Sequence, residues 1–430
     1  MRASRRTLVR LAPLLFLIAL SFGVFAPAKA ATATGLQVQT DSAKVDFPRS
    51  LVFHLVADVD QPIVSVETWY HPAYSPVTSV VRADFSAGAH VDVTNTVDMQ
   101  LNYLPPGVDV LYRWRLTLRD GSVLETPEQT VLYMDTRYQW QTKTKGAVTV
   151  YYFAGDDQIG QAALDQTVKA INNMKQTFKL TADEPVRVVI YSSTRDFASA
   201  LPPNSAEWIG GFTQPDLHLV VTGVDKNNDP MSEIERILSH EAVHLIMHQA
   251  TENPFNEPPP WLDEGLATYY QAIADPRFGP VLQNAIKSGT LIPIKALNST
   301  FPDDPNQALQ SYAESQSIVN FILKSKGNDG MSALLKAYQG GVSNEQAVQT
   351  AFGESIDQLD AAWKKSLNYP GDRGISASVD NRDGSGGSPN DSTGPLTTPA
   401  LLGIAALLAL GGGLYYTRRA RRLGGDNPTL

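Results

Sequence analysis

Ser239-His240-Glu241-Ala242-Val243-His244 has the spacing H-E-x-x-H. Residues four apart lie on one face of a helix, so His240 and His244 can offer two imidazoles to one metal ion. Glu241 stands between them and can reach a metal-bound water as general base. The surroundings read as a helix. Ser232 followed by Glu235 predicts a capping box, and Ile234, Ile237, Leu238, Ala242, Leu245 and Ile246 supply an apolar face. The chain has no cysteine, so any metal must be held by His, Asp or Glu. His248 continues the row but reads as a surface histidine. The residues after His244 do not have the glycine and histidine of the metzincin pattern.

A further carboxylate lies downstream. Trp261-Leu262-Asp263-Glu264-Gly265-Leu266-Ala267 follows Pro258-Pro259-Pro260 and opens another helix, with Glu264 placed 20 positions after His244. Together the two motifs resemble the gluzincins, the peptidase MA-like zinc metallopeptidases related to thermolysin and the M1 aminopeptidases, in which W-L-x-E-G-x-A carries the third ligand. The resemblance implies that His240, His244 and Glu264 bind Zn2+ and that Glu241 is the base. The chemistry agrees, since a His2Glu set leaves the fourth position open for water, as a catalytic zinc site requires.

The resemblance covers roughly residues 145–367. Ser311-Tyr312-Ala313-Glu314-Ser315 looks like the helix that carries the M1 transition-state tyrosine. It implies that Tyr312 hydrogen-bonds the oxyanion, although the family's K-G after the tyrosine is missing; the bland reading is a packed core tyrosine. Tyr269 and Tyr270 are expected to face helix packing. The peptide-binding edge strand would correspond to Gly210 to Val221, with substrate added as a further strand. Gly210-Gly211-Phe212-Thr213-Gln214 stands where M1 enzymes carry G-x-M-E-N, whose glutamate holds a free amine. That departure favours an endopeptidase over an aminopeptidase.

Around this centre the 430-residue chain divides by composition. Residues 1–30 have an Arg-rich start, an apolar run from Leu11 and an Ala28-Lys29-Ala30 end, which reads as a secretory signal peptide. Residues 35–137 alternate with period two between turn signals such as Pro105-Pro106-Gly107. They are expected to form about seven strands of an immunoglobulin- or fibronectin-like β-sandwich. His54, His71 and His90 read as ordinary strand or surface histidines, and Arg113-Trp114-Arg115 as strand surface. Residues 139–370 are expected to be an α+β metallopeptidase domain: strands at Ala147–Phe153, Val186–Tyr191 and Leu217–Val221, helices at Asp157 to about Leu180 and Thr194–Leu201, and helix almost throughout after Trp261.

Residues 371–395 are rich in Gly, Ser, Asp and Asn and read as a flexible linker. Residues 396–416 are uncharged and mostly apolar, about 31 Å long as a helix, which suits one membrane span. Arginines 418, 419, 421 and 422 then mark 417–430 as a cytoplasmic tail. The expected product is a single-pass type I protein of the cell membrane with its catalytic domain outside. Net charge is −9, and the positive ends (+5 and +3) leave −17 for the residues between them. Nucleic acid is therefore a poor partner; peptide or protein is the expected substrate. The competing reading makes the β-sandwich a surface adhesion or binding module, with the metallopeptidase fold inactive or secondary.

Overall fold

The computed structural model describes residues 35–75, 77–180, 184–202, 211–302 and 304–371. The expected leader, the linker beyond Gly371, the span and the tail lie outside the described residues, as does Gly210. Among the described residues no helix is long and apolar enough to cross a membrane.

Seven strands form the N-terminal part: β1 (Leu36–Asp46), β2 (Ser50–Pro72), β3 (Ser79–Arg82), β4 (Gly88–Asp98), β5 (Val108–Leu118), β6 (Val123–Glu125) and β7 (Gln129–Tyr133). The number of strands is as expected, but they make one continuous hydrogen-bonded sheet and not the two separate sheets of the expected sandwich. The cause is β2. Its first half pairs with β1 and β4, its second half with β3 and β5, and its register breaks between Asp58 and Ile63 and again between Ile63 and Ser65. An irregularity of this kind bends a strand and increases its twist. Buried positions accordingly switch from odd (Leu51, Phe53, Leu55) to even (Val66, Thr68, Tyr70), so each half keeps an inward face. The two layers meet where Phe53 lies 4.9 Å from Tyr112 and 5.5 Å from Tyr70, ring to ring. Buried Asn95 joins them by donating to Thr68 Oγ1 at 2.8 Å and to the Val81 carbonyl at 3.0 Å. Arg113 and Arg115 flank Trp69 on the outer face, but Trp114 between them is fully buried, not strand surface as expected. His54, His90 and His71 pair on that surface with Asp92, Asp58 and Glu128.

The second half contains β8 (Trp140–Lys145), β9 (Val148–Phe153), α1 (Asp157–Phe178), β10 (Val186–Tyr191), α2 (Thr194–Ala198), β11 (Gly211–Gln214), β12 (Leu219–Gly223), α3 (Pro230–Thr251), α4 (Pro260–Tyr270), α5 (Phe278–Ser288), α6 (Pro305–Gln339, broken at Gly327), α7 (Asn344–Phe352) and α8 (Ile356–Ser366). The sheet order is β11-β12-β10-β9-β8; the middle three strands are parallel, and both edge strands are antiparallel to their neighbours. Strand β8 was not expected; β11 lies at the sheet edge within the Gly210 to Val221 stretch expected as the edge strand, and β12 occupies the end of that stretch. The sequence around 217 is a 3-10 turn (Pro215–Leu217), so β12 begins two residues later than its alternation suggests.

Both faces of this sheet are buried, by different partners. Val188, Ile190 and Val220 point to α1 and α3. Val189, Tyr191, Leu219 and Val221 point the other way, into a core shared with the N-terminal sheet. Gly107 lies against that face so closely that a Cβ there would stand 2.6 Å from Val189. Arg187 donates to the Gly107 carbonyl and pairs with Asp109, and Tyr191 donates to Asp135 at 2.9 Å.

Helix α3 starts one turn before the expected Ser232–Glu235 capping box. Asp229 is the cap, its carboxylate accepting from the Ser232 N–H, and Pro230 takes the first turn, where a missing N–H costs nothing. The expected apolar residues of α3 are all buried. So are His240, Glu241 and His244, which makes α3 the centre of the domain and its polar triplet a costly insertion unless it is paired.

Candidate metal centre

Helix α4 packs across α3 and brings Glu264 to the two histidines. Donor atoms of His240, His244 and Glu264 all lie within 4.8 Å of one another. Glu264 Oε2 is 3.5 Å from His240 Nε2 and 3.7 Å from His244 Nε2. A tetrahedral zinc with bonds of about 2.1 Å needs donors about 3.4 Å apart, so the spacing fits. Satisfaction of the polar atoms points the same way. Within the described residues His240 Nε2 and both carboxylate oxygens of Glu264 are buried without a hydrogen-bond partner. Such atoms are expensive in a protein interior unless a cation completes them.

Burial, with the charge on His244 beside it, pushes His240 down to about 3. Burial pulls His244 down as well, but the carboxylates of Asp263 and Glu264 outweigh it and lift the imidazole to about 10. Burial raises Glu264 to about 7, against the pull of His244. Glu241, Asp263 and Glu264 thus place acidic side chains around two buried imidazoles, surroundings suited to a dication.

Two further residues hold the imidazoles, and both come from α4 and its end. His240 Nδ1–H donates to Gln271 Oε1 at 3.1 Å, which leaves Nε2 free to face Glu264. The amide of Gln271 is itself oriented by donating to the Ile273 carbonyl. Asp263 Oδ1 lies 3.0 Å from His244 Nδ1, at ion-pair distance. Sequence reasoning missed both residues. Asp263 sits inside the motif, beside Glu264, and was open to suspicion; Gln271 has no local signal.

Glu241 Oε2 accepts a hydrogen bond from Thr213 Oγ1 at 2.5 Å. Thr213 lies on the edge strand β11, whose residue Gly211 also faces α3 at Ile237. Tyr312 on α6 is buried, and its hydroxyl has no partner among the described residues. Burial raises it well above its ordinary value, and the charges of Glu264, Glu241 and Asp263 add to that. Its ring meets Phe301 edge-on at 5.1 Å. His248 turns away to Asp216, at 3.3 Å. Tyr270 packs on Phe178, whereas Tyr269 is exposed and not packed as expected.

A family model described as the peptidase MA superfamily matches residues 166–369. The match supports a gluzincin-like peptidase family for this part of the chain. Aminopeptidase 2, mitochondrial, of Saccharomyces cerevisiae is 24% identical over 254 residues, which are 52% of this chain and 25% of that protein. The chain thus spans about a quarter of that relative's length. Among solved structures, catalytically inactive OgpA of Akkermansia muciniphila with an O-glycopeptide (glycodrosocin) is 11% identical. That likeness covers 23% of this chain and 28% of that one, with a TM-score of 0.19. A family 56 carbohydrate-binding module that binds β-1,3-glucan is 20% identical, over 21% of this chain and 95% of that one, with a TM-score of 0.15. The family match begins within α1, after β8 and β9 in the chain.

Proposed function

We propose that this protein is a zinc endopeptidase anchored at the cell membrane with its catalytic domain outside. The observation that carries the chemistry is the His240–His244–Glu264 triplet, with zinc-like spacing and orphaned donors. Zinc held there would polarise the scissile carbonyl and acidify the attacking water. Glu241 takes the proton from that water and returns it to the leaving amine. The Tyr312 hydroxyl, buried and unpartnered, donates to the developing oxyanion. Strand β11 is the last strand of its sheet, and an extended peptide pairs along it. The endopeptidase reading is supported at Thr213, which puts a hydroxyl where an aminopeptidase of the resembled type has its amine-holding carboxylate. Anchoring and location rest on residues 1–30 and 396–416 of the sequence.

Glu241→Gln is the test. The variant is expected to keep one zinc per chain by metal analysis and to lose peptide cleavage by at least about a hundredfold. Wild-type turnover in the variant would remove this mechanism. Location is read by surface proteolysis of intact cells; protection of the peptidase domain from added protease would refute it.

A further inference from the structure

We infer that Thr213 is a positioning residue for the base, holding one oxygen of Glu241 so that the other meets the water. The inference rests on the peptidase reading above and adds to it a part that neither the ligand set nor the two motifs contain. A hydroxyl has one proton to donate. Thr213 Oγ1 lies 2.5 Å from Glu241 Oε2 and 3.5 Å from the Glu241 carbonyl, so the carboxylate receives it. A hydrogen bond to a charged acceptor is among the stronger kinds and is directional.

Position matters here because a carboxylate turns about its terminal torsion, and a fixed donor on one oxygen sets where the other points. Thr213 also stands on β11, so the strand that would receive the peptide carries the group that sets the base.

Thr213→Val removes the hydroxyl and keeps the shape and the strand preference; Thr213→Ser keeps the hydroxyl. With zinc-loaded protein and an end-blocked fluorescence-quenched peptide, the valine variant is expected to lose about 10- to 100-fold in kcat with KM almost unchanged. The serine variant is expected to restore kcat to within about threefold of the parent. Zinc affinity, titrated with the metal alone, stays at the parent value in both. Undiminished kcat in the valine variant, or failure of serine to rescue, would overturn the inference. If the parent protein cleaves no peptide, the peptidase reading fails, and the inference is decided by crystal structures of the two variants. A Glu241 carboxylate that moves in Thr213→Val but not in Thr213→Ser upholds it; one that moves in neither overturns it.

Discussion

Replacing Gly265 by alanine should injure the metal centre more than the fold. Gly265 follows the ligand Glu264 on α4, and its Cα faces α6. A Cβ built there would stand 2.6 Å from the Ser315 carbonyl oxygen and 2.8 Å from Val319 Cγ2. Ordinary C···O contacts are about 3.3–3.6 Å, so the two helices must separate by roughly 0.7–1 Å. The carbonyl belongs to the backbone of α6 and cannot rotate aside. Overpacking of this kind costs about 1–3 kcal/mol, and the better helix propensity of alanine returns up to about 1 kcal/mol. The net loss is thus about 0–3 kcal/mol, which the domain should survive. The site is less tolerant, because Glu264 rides on α4 and Tyr312 on α6. Metal–ligand distances hold within about 0.2 Å, and a misplacement of about 1 Å can cost about a hundredfold in rate. Chelator competition for zinc, a thermal melt and a peptide-cleavage assay should therefore show a small shift in melting with a large loss of affinity and turnover. Gly279→Ala is the control: it lies on α5, with nothing within 4 Å of its added Cβ. Parent-like zinc affinity in Gly265→Ala would refute the reasoning.

Gln271→Leu should fold normally and bind zinc about 10- to 100-fold more weakly, because His240 loses the partner that fixes its tautomer; equal affinity by chelator competition counts against that role. Glu314 gives a pH signature: burial raises it from 4.5 to about 7, against hydrogen bonds from Gln310 and the Ile292 N–H. The native state then holds the proton more tightly than the unfolded chain, so its contribution is complete below about pH 4.5 and is lost as pH rises toward 7. Urea unfolding of Glu314→Gln should show a flatter fall across that window, by up to about 3 kcal/mol, and an unchanged slope would dismiss the assignment. Residues 139–371 expressed alone would expose Val189, Tyr191, Phe197, Leu219 and Val221, all fully buried in the whole chain. At about 1.5–3 kcal/mol each, that loss rivals the stability of a domain, so a cooperative, parent-like melt of the fragment would contradict the shared core.

The metal centre was legible because its chemistry is local. His240, Glu241 and His244 sit on one helix, so spacing brought the two histidines and the base into consideration, and the family resemblance carried by the compact motif around Glu264 supplied the third ligand. Strand β10 was legible residue for residue, since Val186–Tyr191 is a short apolar run with clear flanks. The start of α3 was misplaced because two capping signals overlap there, and the proline one turn earlier prevails. The resemblance pointed to an edge strand over Gly210 to Val221, but its division into two antiparallel strands, β11 of 4 residues and β12, was hidden by the short turn at Pro215–Leu217. Thr213 and Gln271 were illegible for another reason: each acts on a residue about 30 positions away, Thr213 on Glu241 and Gln271 on His240, through a contact that only packing creates. The continuity of the N-terminal sheet escaped notice because the register breaks in β2 look, in sequence, like a turn at Asp60-Gln61-Pro62.

The N-terminal sheet occupies the side of the peptidase sheet where doubly wound proteins place a second layer of helices. It is therefore a wall of the enzyme more than an attachment to it. Gly107 and Asp109 bear on β10 and β12, and β12 carries β11 along its free side. A substitution at Gly107 in the β-rich half can thus shift Thr213, and with it the base, without touching a ligand. Screens for activity loss should return residues from the first hundred or so positions of the described chain, and such residues would be errors of alignment between two layers, not evidence of a second active site.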